Sequence, residues 1–473
     1  MRGLRSFLAL LVILLALGAY LYFVESKREP GDAERRDKVF AVEAAAIDEI
    51  SVKSESGERT TLRKSGDDWQ MVEPVATTPD SAEVSGLTTN LANLEVQEVI
   101  DENPADLAEY GLATPRVELT FKSGGQERRL LIGRKTPPGT DLYAKLGDQP
   151  RVFLISSYLD STFNKNTFDL RDKTVLKVER DSIDALAIST PERTVRFTKA
   201  DAEWRLSEPV DARADSNTVN GIVSRLDTLQ MKSIAAADPK ELAEYGLDKP
   251  AATVQIGSGS SQATLLIGKP AGEGVVFAKD QSRPAVVTIE STLLDDIKKE
   301  PGAFRQQDLF DARAFNATHL EIVRNGETLA FEKTTVKNKD GQDEEKWRQV
   351  APAAQDVDRT KLENLLSAIT QARASSFVES TAKTGLDSPE LTATIKSDEG
   401  RRSETVKFAR AGEDAYAARA GEGGAAKIEP ATLDNIQKAL QELQQPAPAG
   451  SEQKPADKGG DEPKPPEADR GGY

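Results

Sequence analysis

Cysteine does not occur anywhere in the 473 residues. Its absence excludes disulfides, thiolate metal ligands, cysteine nucleophiles and a lipid-modified N-terminal cysteine. It is compatible with an oxidising compartment without requiring one. Histidine occurs once, as His319. With no cysteine and one histidine, zinc and iron sites of the ordinary type are nearly excluded. His319 alternates with Leu320, Glu321 and Ile322, which places it on the solvent face of a strand as a bystander. A basic excess is also missing: 62 Lys and Arg against 78 Asp and Glu give a net charge of -16. That argues against a nucleic-acid partner, whose phosphates need a Lys/Arg surface, and against broad docking on anionic lipid. Aromatic residues make up 5% and tryptophan occurs three times, and those three positions organise the chain.

Only one long apolar run is present, Phe7 to Val24. At about 1.5 Å per residue it reaches roughly 27 Å, close to the hydrocarbon thickness of a bilayer. Arg2 and Arg5 precede it, and the charges of Glu25, Lys27, Arg28 and Glu29 cancel after it. The positive-inside bias then predicts a cytoplasmic segment 1–6, a single-pass membrane anchor over 7–24, a stalk over 25–37 and a remainder outside the cytoplasm. The competing reading is a cleaved signal peptide at Ala16-Leu17-Gly18, against which the apolar run continues too far.

Trp69, Trp204 and Trp347 are each followed five positions later by proline, at Pro74, Pro209 and Pro352. Eleven positions after each tryptophan comes aspartate: Asp80, Asp215 and Asp358. Val84, Leu87, Leu91 and Leu94 follow at helical spacing. Val219, Ile222, Leu226 and Leu229 repeat those offsets, as do Leu362, Leu365, Ile369 and Ala372. Each aspartate reads as the helix N-cap, and Glu83 completes a capping box in the first copy. A second, shorter helix is expected from Asn103-Pro104 and Asp238-Pro239. It would stop at Gly111, Gly246 and Gly385, each followed by Leu and, four positions on, by Pro115, Pro250 and Pro389. Alternating runs such as Val117 to Phe121 and Thr253 to Ile256 read as strands. Leu-Ile-Gly ends close Leu130 to Gly133 and Leu265 to Gly268.

The expected fold class is therefore α+β: one transmembrane helix, then three tandem domains of antiparallel sheet plus helices over 38–165, 168–300 and 308–443. Phe168-Asp169-Leu170-Arg171 and Phe310-Asp311-Ala312-Arg313 mark two starts. The third copy has a charged insertion from Thr334 to Lys346, read as a solvated hairpin tip, and it lacks the Leu-Ile-Gly end. In 446–473, Pro and Gly make up 11 of 28 residues and no Leu, Ile, Val, Phe, Met or Trp occurs. Such a stretch reads as a disordered tail.

Chemistry is hard to find. Asp80, Asp215 and Asp358 are accounted for as caps, and Asp101-Glu102 has no recurring partner. Gly257-Ser258-Gly259-Ser260 and Gly421-Glu422-Gly423-Gly424 read as turns, since neither opens a helix with a following Lys-Ser/Thr. The tryptophans could form a stacking platform, but one tryptophan per unit beside strand residues reads as a core anchor. No catalytic, cofactor or metal residue is assigned.

The combination of N-terminal anchor, Trp-x4-Pro, Asp-capped helix, Tyr-Gly-Leu-x-x-Pro and Leu-Ile-Gly resembles the bacterial domain-of-unknown-function 4340 family over roughly residues 40–440. Thr384 in place of Tyr makes the third copy a weaker match. The resemblance implies an accessory role beside gliding-motility-type ABC transporters, and it carries no catalytic residues. The expected function is a non-enzymatic, membrane-anchored periplasmic scaffold with protein partners in an ABC-type complex. A cell-wall or surface-polymer binding module is the alternative, and a carboxylate hydrolase is a distant third.

Overall fold

The computed structural model describes residues 37–445, apart from 138, 260 and 338–341. The expected anchor over 7–24, the segment before it, the stalk up to 36 and the tail from 446 lie outside the described residues. Among the described residues no helix is long and apolar enough to cross a membrane.

Two compact units are present. One holds residues up to Val175 with Gln230–Ser233, and the other holds Leu176–Leu229 with Ile234 onward. The first sheet comprises β1 (Ile47–Lys53), β2 (Arg59–Ser65), β3 (Asp68–Glu73), β4 (Glu98–Asp101), β5 (Val117–Ser123), β6 (Gln126–Lys135), β7 (Asp141–Leu146) and β8 (Val152–Ser156). Its order is β3-β2-β1-β5-β6-β7-β8-β4. The second comprises β9 (Ala185–Ser189), β10 (Thr194–Ala200), β11 (Glu203–Glu208), β12 (Ala212–Arg213), β13 (Ser233–Ala236), β14 (Ala252–Ser258), β15 (Ser261–Gly272), β16 (Val275–Asp280) and β17 (Val286–Glu290). It runs β12-β11-β10-β9-β14-β15-β16-β17-β13. The third comprises β18 (Ala317–Arg324), β19 (Glu327–Lys337), β20 (Asp343–Ala351), β21 (Gln355–Asp356), β22 (Ser376–Val378), β23 (Leu391–Ser397), β24 (Arg402–Ala411), β25 (Asp414–Arg419) and β26 (Ala425–Ile428). It repeats the second sheet's order as β21-β20-β19-β18-β23-β24-β25-β26-β22.

These sheets correct the expected α+β class. Strand takes 44% of the chain and helix 20%, so the protein is three antiparallel sheets with few helices. The second helix is the main error. Between Pro104 and Gly111 the chain forms only a 3-10 turn over Ala108–Tyr110, and the second copy has the same over Leu242–Tyr245. The third copy has no helix there. Six residues between proline and glycine are too few to offset the cost of nucleating an α-helix.

One twelve-residue helix per copy does form where the spacing places it: Ser81–Ala92, Ser216–Asp227 and Arg359–Thr370. Asp80 Oδ1 accepts the Ala82 and Glu83 amides at 2.8 and 3.1 Å. Asp215 and Asp358 accept from Thr218 and Lys361 at 2.7 and 3.1 Å. Glu83 does not close the expected capping box. Its carboxylate lies 2.9 Å from Lys165 Nζ, and the Asp80 amide is already bonded to Leu170 O. Val84, Leu87 and Leu91 are buried against sheet residues such as Ile50, Leu119 and Ile132. Leu362, Leu365 and Ile369 do the same against Leu320, Ile395 and Phe408.

The tryptophans lie on β3, β11 and β20, and the prolines that follow them, Pro74, Pro209 and Pro352, are all preceded by cis peptide bonds. Gly111, Gly246 and Gly385 all adopt left-handed φ values of 68°, 67° and 78°, which L side chains avoid. The Leu-Ile-Gly glycines lie against these turns. A Cβ on Gly133 would come 2.1 Å from Tyr110 O, and one on Gly268 would come 2.1 Å from Tyr245 O. The tyrosine rings pack on the next strand's aromatic: Tyr110 on Tyr143 and Tyr245 on Phe277, both with centroids 5.1 Å apart. The registers Leu391↔Phe408 in the third sheet and Val117↔Ile132 in the first make Ala409 the equivalent of Gly133. There the turn shifts, so a Cβ on Gly385 would meet Arg410 O at 2.4 Å. The loss of tyrosine at Thr384 and of glycine at Ala409 is thus one change. Gly133→Ala is expected to cost about 3 kcal/mol, the upper end for overpacking. Urea denaturation followed by tryptophan fluorescence will read it, and Ala409→Gly is expected to cost under about 1 kcal/mol.

Candidate functional site

Each tryptophan faces a lysine across its hairpin: Lys64↔Trp69, Lys199↔Trp204 and Lys333↔Trp347. The Lys199 and Lys333 ammonium groups stand 5.8 and 5.7 Å from the indole centroids. Trp204 is 2% and Trp347 6% exposed, whereas Trp69 is half-buried against its core. Trp204 Nε1 donates to Asn220 Oδ1 at 2.9 Å. The recurring Trp, Pro, Asp and Gly positions are therefore engaged in the core or the backbone of each sheet.

The charged insertion extends β19 and β20, pairing Lys337 with Asp343 beyond the Lys333–Trp347 position. Its tip at 338–341 lies outside the described residues. At its base is a groove of about 350 Å3 lined by Phe315, Lys333, Glu345, Trp347, Arg359 and Glu363. Lys333 Nζ lies 3.2 Å from Glu345 and 3.3 Å from Phe315 O. The Phe315 ring is left 80% exposed. His319 is more covered than its alternation suggested. Its side chain is 15% exposed, with Nδ1 3.5 Å from Glu332 Oε1 on the neighbouring strand. Among the described residues no group of three or more acidic or histidine side chains is placed to hold a metal.

A buried charge cluster lies within the second unit, where the Gly421–Gly424 turn between β25 and β26 docks on the corner between β11 and β12. Gly423 N donates to Asp211 O at 2.7 Å, and a Cβ on Gly423 would come 3.2 Å from Val210 Cβ. Glu422 faces three guanidiniums. Arg213 donates to it at 2.6 Å, and Arg305 and Arg419 lie at 3.4 and 3.6 Å. Arg213 reaches on to Asp311 Oδ1 at 2.5 Å and Asp308 O at 2.8 Å. Glu404 accepts the Asp311 and Ala312 amides at 3.0 and 3.1 Å and pairs with Arg419 at 3.1 Å. Arg305 is 5% exposed and stacks on Phe377 at 4.2 Å. Burial pushes its guanidinium below its ordinary pKa, and Glu422 pulls it back up. In the sequence this segment is marked only as a turn, by its glycines. Nothing local marks Glu422, because its partner Arg213 is 209 residues away.

Arg305 has a counterpart in Arg171. The bridges Pro79↔Arg171 and Ala214↔Arg305 place both at one position, and the Nε of each is buried without a hydrogen-bond partner. Phe168 to Arg171 and Phe310 to Arg313 are therefore not equivalent segments. In the first unit, a cavity of about 500 Å3 is lined by Phe40, Arg128, Arg129, Asp148 and Gln149, among others. Arg129 is engaged by Glu118 at 2.5 Å. Arg128 donates to Gln126 at 3.1 Å through Nη2, while its Nη1 is buried without a partner.

A family model described as a domain of unknown function (DUF4340) matches residues 69–203 and 204–389. Both matches open on a tryptophan, so the family's unit keeps the register of the repeat. No curated protein matches the chain. Among solved structures, a DNA polymerase sliding clamp from Pseudomonas aeruginosa is 10% identical, covering 82% of this chain and 92% of its own, with a TM-score of 0.16. The DNA polymerase III subunit beta from Pseudomonas aeruginosa is 9% identical, covering 82% and 94%, with a TM-score of 0.17. Likeness at that level carries no argument. The family model covers more than half of the sequence, and the chain belongs to the DUF4340 family.

Proposed function

We propose that this chain is a non-enzymatic scaffold, anchored in the inner membrane by residues 7–24, whose periplasmic sheets serve as an accessory subunit of an ABC-type transporter or cell-surface complex. The observation that carries the reading is the use made of the repeated residues. Tryptophan, cis-proline, cap aspartate and left-handed glycine recur in all three copies as parts of the fold. What the chain repeats is thus a means of building sheets. Two of those sheets are joined by a buried charge cluster, which supports a rigid spacer or platform. The membrane and transporter assignments rest on the apolar run and on the family resemblance. Affinity capture of the native protein from detergent-solubilised membranes should recover transporter subunits. Capture without any such subunit would overturn the transporter reading.

The polymer-binding alternative draws least on the tryptophans, because two of the three are core residues. Its best support is the exposed Phe315 beside the third-copy groove.

A further inference from the structure

In the first two copies, the chain that leaves the copy runs back along the segment before the cap aspartate. The Asp80 amide donates to Leu170 O at 2.9 Å, and the Asp172 amide donates to Thr78 O at 3.0 Å. The second copy repeats this, with Asp215 donating to Phe304 O at 2.8 Å and Gln306 to Arg213 O at 3.0 Å. Both pairings are antiparallel and centre on the bridges Pro79↔Arg171 and Ala214↔Arg305. The returning chain covers what it pairs with, and Pro79, Ala212 and Ala214 are buried. The third sheet pairs Arg348 with Asp356 where the second pairs Arg205 with Arg213. Asp356, Val357 and Asp358 therefore stand where Arg213, Ala214 and Asp215 stand in the second copy. Among the described residues nothing returns along them. No described carbonyl accepts from the Asp358 amide, and no described amide donates to Asp356 O. Gln355 and Asp356 are exposed, and Val357 is only half-buried.

We propose that residues 446–450 of this same chain supply the missing strand. Ala447 O accepts from the Asp358 amide, the Ala449 amide donates to Asp356 O, and Pro448 lies opposite Val357. The closing helix of the third copy, Pro430–Gln444, delivers the chain to the right end of this edge. Gln445 O accepts from Lys361 Nζ at 3.1 Å, and Lys361 is three residues past Asp358. Two residues of extended chain span about 7 Å, enough to match the roughly 5 Å of helix from Lys361 back to Asp358. The chain then runs antiparallel to the edge, as the two returning segments do. The spacing of the prolines fits the same register. Successive residues of a strand turn their amides to opposite sides. Pro446 and Pro448 remove only amides that would face away from the sheet, and Ala447 and Ala449 keep those that face it. A strand built this way pairs on one side and closes the edge against a further strand. Small residues suffice where the other copies place Leu170 and Phe304. The closing helix here is fifteen residues long, against four and six, and carries Leu440 into the third core. The inference rests on the sheets alone and is independent of the membrane and transporter reading.

The absence of cysteine makes cross-linking of the full chain in detergent micelles a direct test. Val357 and Pro448 would face each other as a non-hydrogen-bonded pair with Cα atoms about 4.5 Å apart, a separation that a disulfide spans. Val357→Cys with Pro448→Cys is expected to close an intramolecular disulfide about tenfold faster than Val357→Cys with Glu452→Cys. A tail that is merely tethered would close the two at similar rates, because closure depends only weakly on loop length. Hydrogen exchange of the cysteine-free chain gives a second reading that does not disturb Val357. The Asp358 amide is expected to be protected in the wild type. Ala449→Pro removes the donor to Asp356 O and is expected to speed exchange at Asp358 by about tenfold, the effect of losing roughly one backbone hydrogen bond. Pro448→Ala is expected to leave that exchange as it was. Equal closure rates for the two cysteine pairs, or exchange at Asp358 that does not respond to Ala449→Pro, would each overturn the proposal. An Asp358 amide that exchanges freely in the wild type would also overturn it, leaving the edge to a strand from another chain.

Discussion

Glu422→Ala is expected to destabilise the second unit by about 3–5 kcal/mol, the range for removing one partner of a buried charge pair. The carboxylate accepts from Arg213 and pairs with Arg305 and Arg419, and all four side chains are at most 15% exposed. Deleting it leaves three guanidiniums facing Asp311 and Glu404, with Arg305 furthest from water. The cost should fall at the joint. Hydrogen exchange is expected to rise at the Gly423 amide and at Gln306 and Leu309, whose amides are held by Arg213 O and Ala372 O. The urea transition of this unit should move or split. Arg213→Met with Glu422→Leu is expected to recover only part of the loss, because the matched pair then needs no counter-ion while the buried Arg305 still lacks its carboxylate. A Glu422→Ala chain with unchanged exchange at those amides would show that backbone contacts alone hold the joint.

What could be read from the sequence was whatever is local in the chain. Each cap lies 11 residues after its tryptophan and the helix follows it directly, and Asp80, Asp215 and Asp358 all cap as their spacing indicates. The same local reasoning overcalled the second helix, because Pro104 and Gly111 are start and stop signals whatever the length between them. The six residues between them are too few for an α-helix, and the turn that forms instead lies against Gly133, whose added Cβ would come 2.1 Å from Tyr110 O. The Lys–Trp pairing was hidden by the insertion. Lys64 and Lys199 precede their tryptophans by five residues, but Lys333 precedes Trp347 by fourteen. Only strand register makes the three equivalent. Long-range charge was the least legible. Arg213, Arg305 and Glu422 come from segments about one hundred residues apart, and each looks like an ordinary surface residue where it stands.

Tryptophan truncation separates the scaffold reading from the polymer-binding one. Trp204→Ala is expected to cost about 3–5 kcal/mol, as for large aromatic residues removed from cores. The indole is 2% exposed, it donates to Asn220, and Lys199 covers its face. Trp347→Ala should cost nearly as much, with 6% exposure and Lys333 in the same position. Trp69→Ala should cost less than half as much, because it is only half-buried at the edge of its core, and apolar stabilisation scales with area removed from water. Thermal unfolding of each variant gives the ranking. The polymer reading makes the opposite forecast for Trp69, the one tryptophan with an accessible face: unchanged stability and lost binding to isolated cell-wall material. A stability loss at Trp204 and Trp347 with no change in wall binding for any of the three would assign the repeated tryptophan to folding, and would leave Phe315 as the aromatic residue to test next for ligand contact.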